Sequence, residues 1–214
     1  MPAAGTSQAA LTAKGRQTRT AIEQAARKLF AERGFHGTTL ADITSAAGKS
    51  AAVFYRYFDD KEDLLAALAE SFLQDVLTPS GLSLHLPDSP EDDAFFTSVV
   101  TGYWNMFKQN IGIMIAIAQL AATQQRFAAV QNEFRRFGMD IVAASVLRAQ
   151  QHGYASELNP EHVGAAIALL FENFTTVFAG TLGPATQGRL GLEISDEDAI
   201  ATLSTVWKKT LYGA

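Results

Sequence analysis

Residues 39–58, TLADITSAAGKSAAVFYRYF, contain two helix starts eleven positions apart. Thr39 followed by Asp42 at the third position reads as a capping box with Asp in place of Glu. Gly48 then stops the helix, and Ser50 can cap another. Neither helix is long enough to persist alone in water, so neighbours have to brace the pair. The chain supplies them on both sides. Upstream, Ile22, Ala25, Ala26, Leu29 and Phe30 recur at three- and four-residue spacing over a helix from about Lys14 to Arg33, closed by Gly34. Downstream, Asp59-Asp60 open a helix running to about Leu77, with acids at its positive end. Long helix, short helix, glycine turn and short helix make a helix-turn-helix unit.

At 100° per residue, Phe54 and Phe58 fall together on the third helix, flanked by Val53 and Tyr57. Ala51, Ala52, Tyr55 and Arg56 share the other side. That outward face has two methyls that permit close approach, a phenol that can donate to phosphate, and a guanidinium that can meet phosphate or the edge of guanine. Charge is distributed to match. Residues 1–61 carry nine Lys/Arg against five acids, a net of +4, whereas the whole 214-residue chain is at −5. The first part can therefore meet a polyanion, although a solvated charged face accounts for the same numbers.

The remainder also reads as helix. After a Pro/Ser/Gly-rich linker at Thr78–Pro90, helical stretches are expected near 91–109, 111–122, 124–152, 160–182 and 196–212. Asn159-Pro160 caps one of these and Ser195 with Asp198 caps the last. The expected fold is all-α with about nine helices. A short arm (1–13) precedes the helix-turn-helix domain (14–60), and a larger helical domain (61–214) follows. The apolar window Val163–Leu182 has Glu172 and Asn173 at its centre, which argues for a buried helix over a membrane span. No apolar leader is evident and cysteine is absent, which fits a cytoplasmic protein. His36, His85, His152 and His162 form no metal-binding or catalytic motif, so neither cofactor nor metal is expected and an enzyme is disfavoured.

The segment FAERGFHGTTLADITSAAGKSAAVFYRYFDDKEDLL resembles the DNA-binding domain of the TetR family of bacterial transcriptional regulators. The resemblance spans about residues 16–66. It implies that Tyr55 and Tyr57 contact phosphates, although many relatives have His in place of Tyr57. It implies too that Lys61 holds the DNA backbone and that Thr39 contacts phosphate or groove from the second helix. Lys49, Ser50, Ala51 and Ala52 would face base edges at the start of the recognition helix. Arg16 and Arg19, with Lys14, would belong to a basic arm tracking the minor groove or nearby phosphates.

The resemblance further implies a homodimer on an inverted-repeat operator, joined through the last two helices, with Leu169, Thr176, Leu203 and Trp207 as interface candidates. Packing inside one protomer accounts for the same stripes. An effector pocket would draw on Phe96, Tyr103, Trp104, Phe107, Met114, Phe127, Phe134, Phe137, Phe171 and Phe174, each of which core packing alone also explains. As a set they suit an apolar small molecule. Arg135-Arg136 could neutralise the head group of a fatty acyl or acyl-CoA ligand, and a solvated face is the plainer reading. Release of DNA on ligand binding, hence a repressor, is the default. The alternative is an activator or co-repressor-type protein whose DNA binding a fatty acyl or acyl-CoA ligand strengthens.

Overall fold

The computed structural model describes residues 12–77, 85–179 and 191–213. Nine helices are present among them: α1 (Ala13–Arg33), α2 (Leu40–Ala46), α3 (Ala51–Phe54), α4 (Lys61–Leu77), α5 (Asp93–Gln109), α6 (Ile111–Ala121), α7 (Gln125–Gln151), α8 (Pro160–Phe178) and α9 (Asp196–Tyr212). No strand occurs among the described residues. The caps read from sequence are in place. Thr39 and Asp42 form a reciprocal capping box, Ser50 accepts from the Val53 amide, Asn159 from His162, and Ser195 from Asp198.

Two details differ from the expectation. The third helix was expected over 50–58, but its regular α-turn ends at Phe54. Beyond it Arg56 and Tyr57 bond three residues back, to Val53 and Phe54, so the segment tightens without unwinding. Gly34 closes α1 at φ 73° and ψ 165°, outside the left-handed helical basin expected there, whereas Gly48 at φ 62° turns the chain between α2 and α3. The arm falls largely in residues 1–11, and the ends of the 78–90 linker and of the 160–182 stretch fall partly in 78–84 and 180–182; these lie outside the described residues.

The chain packs around two principal cores. In the first, Ile22, Ala26, Leu29 and Phe30 of α1 meet Ile43, Phe54, Phe58 and Leu64, Leu65 and Leu68 of α4. Ile113, Ala116, Ile117 and Leu120 of α6 and Phe127 of α7 belong to the same core. The helix-turn-helix unit is thus not closed at residue 60: α4 and α6 complete it. Gly112 explains how α6 comes so close. A Cβ there would lie 2.4 Å from the Ala31 nitrogen and 2.5 Å from the Phe30 carbonyl carbon, both backbone atoms. Beside it, Arg27 of α1 donates to Asn110 Oδ1 at 3.0 Å.

The second core joins α5, α7, α8 and α9 around Trp207. Its ring meets Phe95, Phe96 and Phe171 at centroid distances of 5.4–6.0 Å, and its Nε1 donates to Ser145 Oγ at 3.1 Å. The linker's second half is tethered to this body, since Arg148 holds Asp88 and the Tyr212 hydroxyl donates to the Pro87 carbonyl.

Candidate nucleic-acid interface and adjoining cavity

α3 divides its side chains as the helical wheel requires. Phe54 and Phe58 are buried, at 0% and 3% exposure, and anchor the helix to α1 and α4. Ala51, Ala52, Tyr55 and Arg56 face solvent, with Tyr55 59% exposed. Its ring meets the buried Phe54 ring edge-on at a centroid distance of 5.7 Å, which leaves most of the phenol in solvent. Lys49 is half-buried and Ser50 exposed, with its hydroxyl on the Val53 amide. Tyr57 lies partly buried against the first core, and the Arg56 guanidinium sits 5.9 Å from its ring centroid.

The other sequence-derived candidates are engaged within the protein. Thr39 is exposed, but its hydroxyl donates to Asp42 Oδ2 at 2.5 Å and accepts from the Asp42 amide. Those bonds from Thr39, side chain and then backbone, hold the Asp42 carboxyl below its ordinary value, and Arg33 adds to the effect. Lys61 Nζ donates to the Phe35 and Thr38 carbonyls, each at 2.7 Å, and lies 4.3 Å from the Phe35 ring centroid. Burial lowers its pKa, with Glu62 opposing. Lys61 therefore ties the start of α4 to the α1–α2 turn, a role that sequence reasoning missed. Arg19 is not on a loose arm: it pairs with Glu23 at 2.8 Å and covers Phe58 at 5.2 Å. Arg16 stays exposed on the first turns of α1.

A cavity of about 580 Å³ opens between α4, α5, α7 and α8. Of the effector-pocket candidates, Tyr103, Phe134, Phe137 and Phe171 line it. Phe107 and Met114 line a smaller adjoining cavity of about 260 Å³, and Phe134 borders both. Phe96, Trp104 and Phe127 instead lie in the packed cores at 1% exposure, and Phe174 packs beside Trp104, so these four leave the candidate set. Phe72 and Val76 of α4 line the cavity and were missed; their i, i+4 spacing on the helix that follows α3 was the available signal. Burial pushes the Tyr103 phenol's pKa well up, so it stays neutral.

The dimer candidates need revision. Leu203 and Trp207 are each 1% exposed and belong to the protomer's own core, with Trp207 also on the cavity wall, so neither can meet a second copy. Thr176 is half-buried and donates to the Glu172 carbonyl. Leu169 remains, at 43% exposure, joined by Leu170 at 41% on α8 and Val206 at 37% on α9.

Residues 22–68 match the family model "Bacterial regulatory proteins, tetR family". Over 58 residues the chain is 41% identical to the transcriptional repressor KstR2 of Rhodococcus jostii, covering 27% of this chain and 28% of that protein. The matched stretch is thus little more than a quarter of that relative's length. Over 198 residues the chain is 26% identical to the transcriptional regulator EthR of Mycobacterium tuberculosis, covering 90% of this chain and 86% of EthR. Bacillus subtilis FadR, solved with stearoyl-CoA, has the same fold at a TM-score of 0.59 and 17% identity, with 91% and 98% of the two chains covered.

Proposed function

We propose that this chain, which belongs through its DNA-binding domain to the tetR family of bacterial regulatory proteins, is a DNA-binding transcriptional repressor that works as a dimer and answers to an apolar small molecule. The exposed face of α3 carries the reading. Two methyls on α3, with Tyr55 and Arg56 on the turn that continues it, project opposite a side locked into the core, which is what insertion into a major groove needs. Ala51 and Ala52 offer only van der Waals contact, for instance to thymine methyls. Hydrogen-bonded readout then falls to Lys49, Ser50 and Arg56.

Leu169, Leu170 and Val206 supply an apolar patch for a second copy, so that α8 and α9 form a four-helix bundle across a two-fold axis. Two α3 helices read an inverted repeat only if they sit about one helical turn apart, roughly 34–36 Å, or a multiple. The cavity supplies the control. Its wall includes α4, which begins at Lys61 beside the helix-turn-helix turn, and Asn110, which bonds to Arg27 of α1. A ligand preferring one placement of these helices shifts the spacing of the two reading heads.

Fluorescence anisotropy on the DNA upstream of the protein's own gene, against a scrambled duplex, tests the reading. Preferential, salt-sensitive binding supports it. Equal binding of both duplexes that ignores salt contradicts it. In the same assay the double substitution Leu169→Glu/Leu170→Glu is expected to yield monomers by sedimentation and to weaken operator binding.

A further inference from the structure

Among the described residues Arg135 is the one cation on the wall of the 580 Å³ cavity, and it is already paired. Its Nε and terminal nitrogen donate to the two Glu172 oxygens at 2.6 and 2.8 Å, a bidentate pair. Gln131 Nε2 adds a third bond to the same carboxylate at 3.2 Å. Two other polar groups on the wall are satisfied in the same way, whereas the buried Tyr103 hydroxyl has no hydrogen-bond partner among the described residues. Asn110 accepts from Arg27 and donates to the Met106 carbonyl, and Ser98 donates to the Phe95 carbonyl. The side chains of Asp75 and Gln109, both exposed, have no hydrogen-bond partner among the described residues. With Asp75, Arg135 and Glu172 counted, the lining is anionic by one charge. An anionic head group would have to break the bidentate pair and then sit beside two carboxylates.

We propose that Glu172 is a specificity-determining residue: by neutralising Arg135 it makes the cavity a site for uncharged or cationic apolar molecules and rejects carboxylates and phosphates of the same shape. This rests on the cavity being the effector site. It runs against the acyl-CoA expectation raised by the Arg135-Arg136 pair in the sequence, of which Arg136 is exposed and absent from the cavity lining.

The test uses three ligands of equal chain length, dodecanamide, dodecyltrimethylammonium and dodecanoate, titrated at pH 8 into the full-length protein. Trp207 on the cavity wall reports occupancy by fluorescence, and anisotropy on duplex DNA reports the response. The amide and the ammonium are expected to bind at least tenfold tighter than the carboxylate. Glu172→Gln, which keeps the shape and frees Arg135, is expected to raise carboxylate affinity at least tenfold and leave the amide within threefold. A carboxylate that binds wild type as well as the amide overturns the proposal, as does a Glu172→Gln protein with an unchanged ratio. If Glu172→Gln does not fold, the wild-type ratio decides alone. Binding with the expected ratio but no change in DNA affinity keeps the charge selection and removes the effector reading. Failure of all three to bind removes both.

Discussion

The helix-turn-helix unit and the body behind it are built from the same residue types, yet they use them differently. In the unit, nearly every large apolar residue has one task. Ile22, Phe30, Phe54 and Phe58 are buried at 0–3% exposure, and Tyr55 stands 59% exposed, meeting the Phe54 ring edge-on and leaving most of its phenol in solvent. In the body, aromatic and aliphatic residues divide among three places: a packed core around Trp207, the wall of a cavity, and exposed positions at Leu169, Leu170 and Val206. The difference teaches where an outlier carries information. A misplaced side chain is conspicuous where all others are accounted for, and invisible where apolar residues are in surplus.

Substitutions can break that comparison, and the largest effect is expected in the body. Trp207→Ala removes the ring that Phe95, Phe96 and Phe171 pack against and takes away the donor to the Ser145 hydroxyl, which keeps its own bond to the Val142 carbonyl. A loss of about 3–5 kcal/mol is expected, read by denaturant melts; a loss under 1 kcal/mol would mean the second core does not centre on this ring. Arg56→Ala should leave stability within about 0.5 kcal/mol. Its cost should appear in binding, at about 1–3 kcal/mol confined to one base position if the guanidinium reads guanine. Uniform loss across operator variants would reassign it to phosphate.

Lys61→Ala separates two roles. Loss of its hydrogen bonds to the Phe35 and Thr38 carbonyls should cost about 1–2 kcal/mol of stability. Any further phosphate role would weaken specific and unrelated DNA alike. Unchanged stability would leave the tie between α4 and the turn without energetic weight. The smallest effect concerns pH. The Asp42 and Asp196 carboxyls are held below their ordinary values, chiefly by bonds from Thr39 and from Lys108. Their contribution is present above the unfolded carboxylate pKa of about 4 and is lost as pH falls through the lower folded values. Stability should therefore be level from about pH 5 to 7 on their account and decline below about pH 4, less so in Asp196→Asn.

Much of this molecule was legible before any coordinates. Caps at Thr39, Ser50, Asn159 and Ser195 fixed helix starts because capping is local chemistry, and the two faces of α3 followed from helical period alone. What escaped depends on long-range packing. Lys61 could be read as a free cation because the carbonyls it reaches lie 23 and 26 positions away. Leu203 and Trp207 could be read as interface because a periodic stripe does not say which neighbour covers it. Arg135 could be read as a lone cation because Glu172 lies 37 positions further along, on another helix. Gly112 carries no local signal at all, since its need for a hydrogen side chain comes from the α1 backbone.

The most direct test of the central claim, that the outward face of α3 reads DNA, is selection of fragments of the protein's own genome bound by the purified full-length chain, run beside a Tyr55→Ala/Arg56→Ala variant. The account predicts that an inverted repeat is enriched by the wild type, with half-sites a whole number of helical turns apart, and that the enrichment disappears in the variant while its melting temperature holds. Enrichment that survives the double substitution would contradict it.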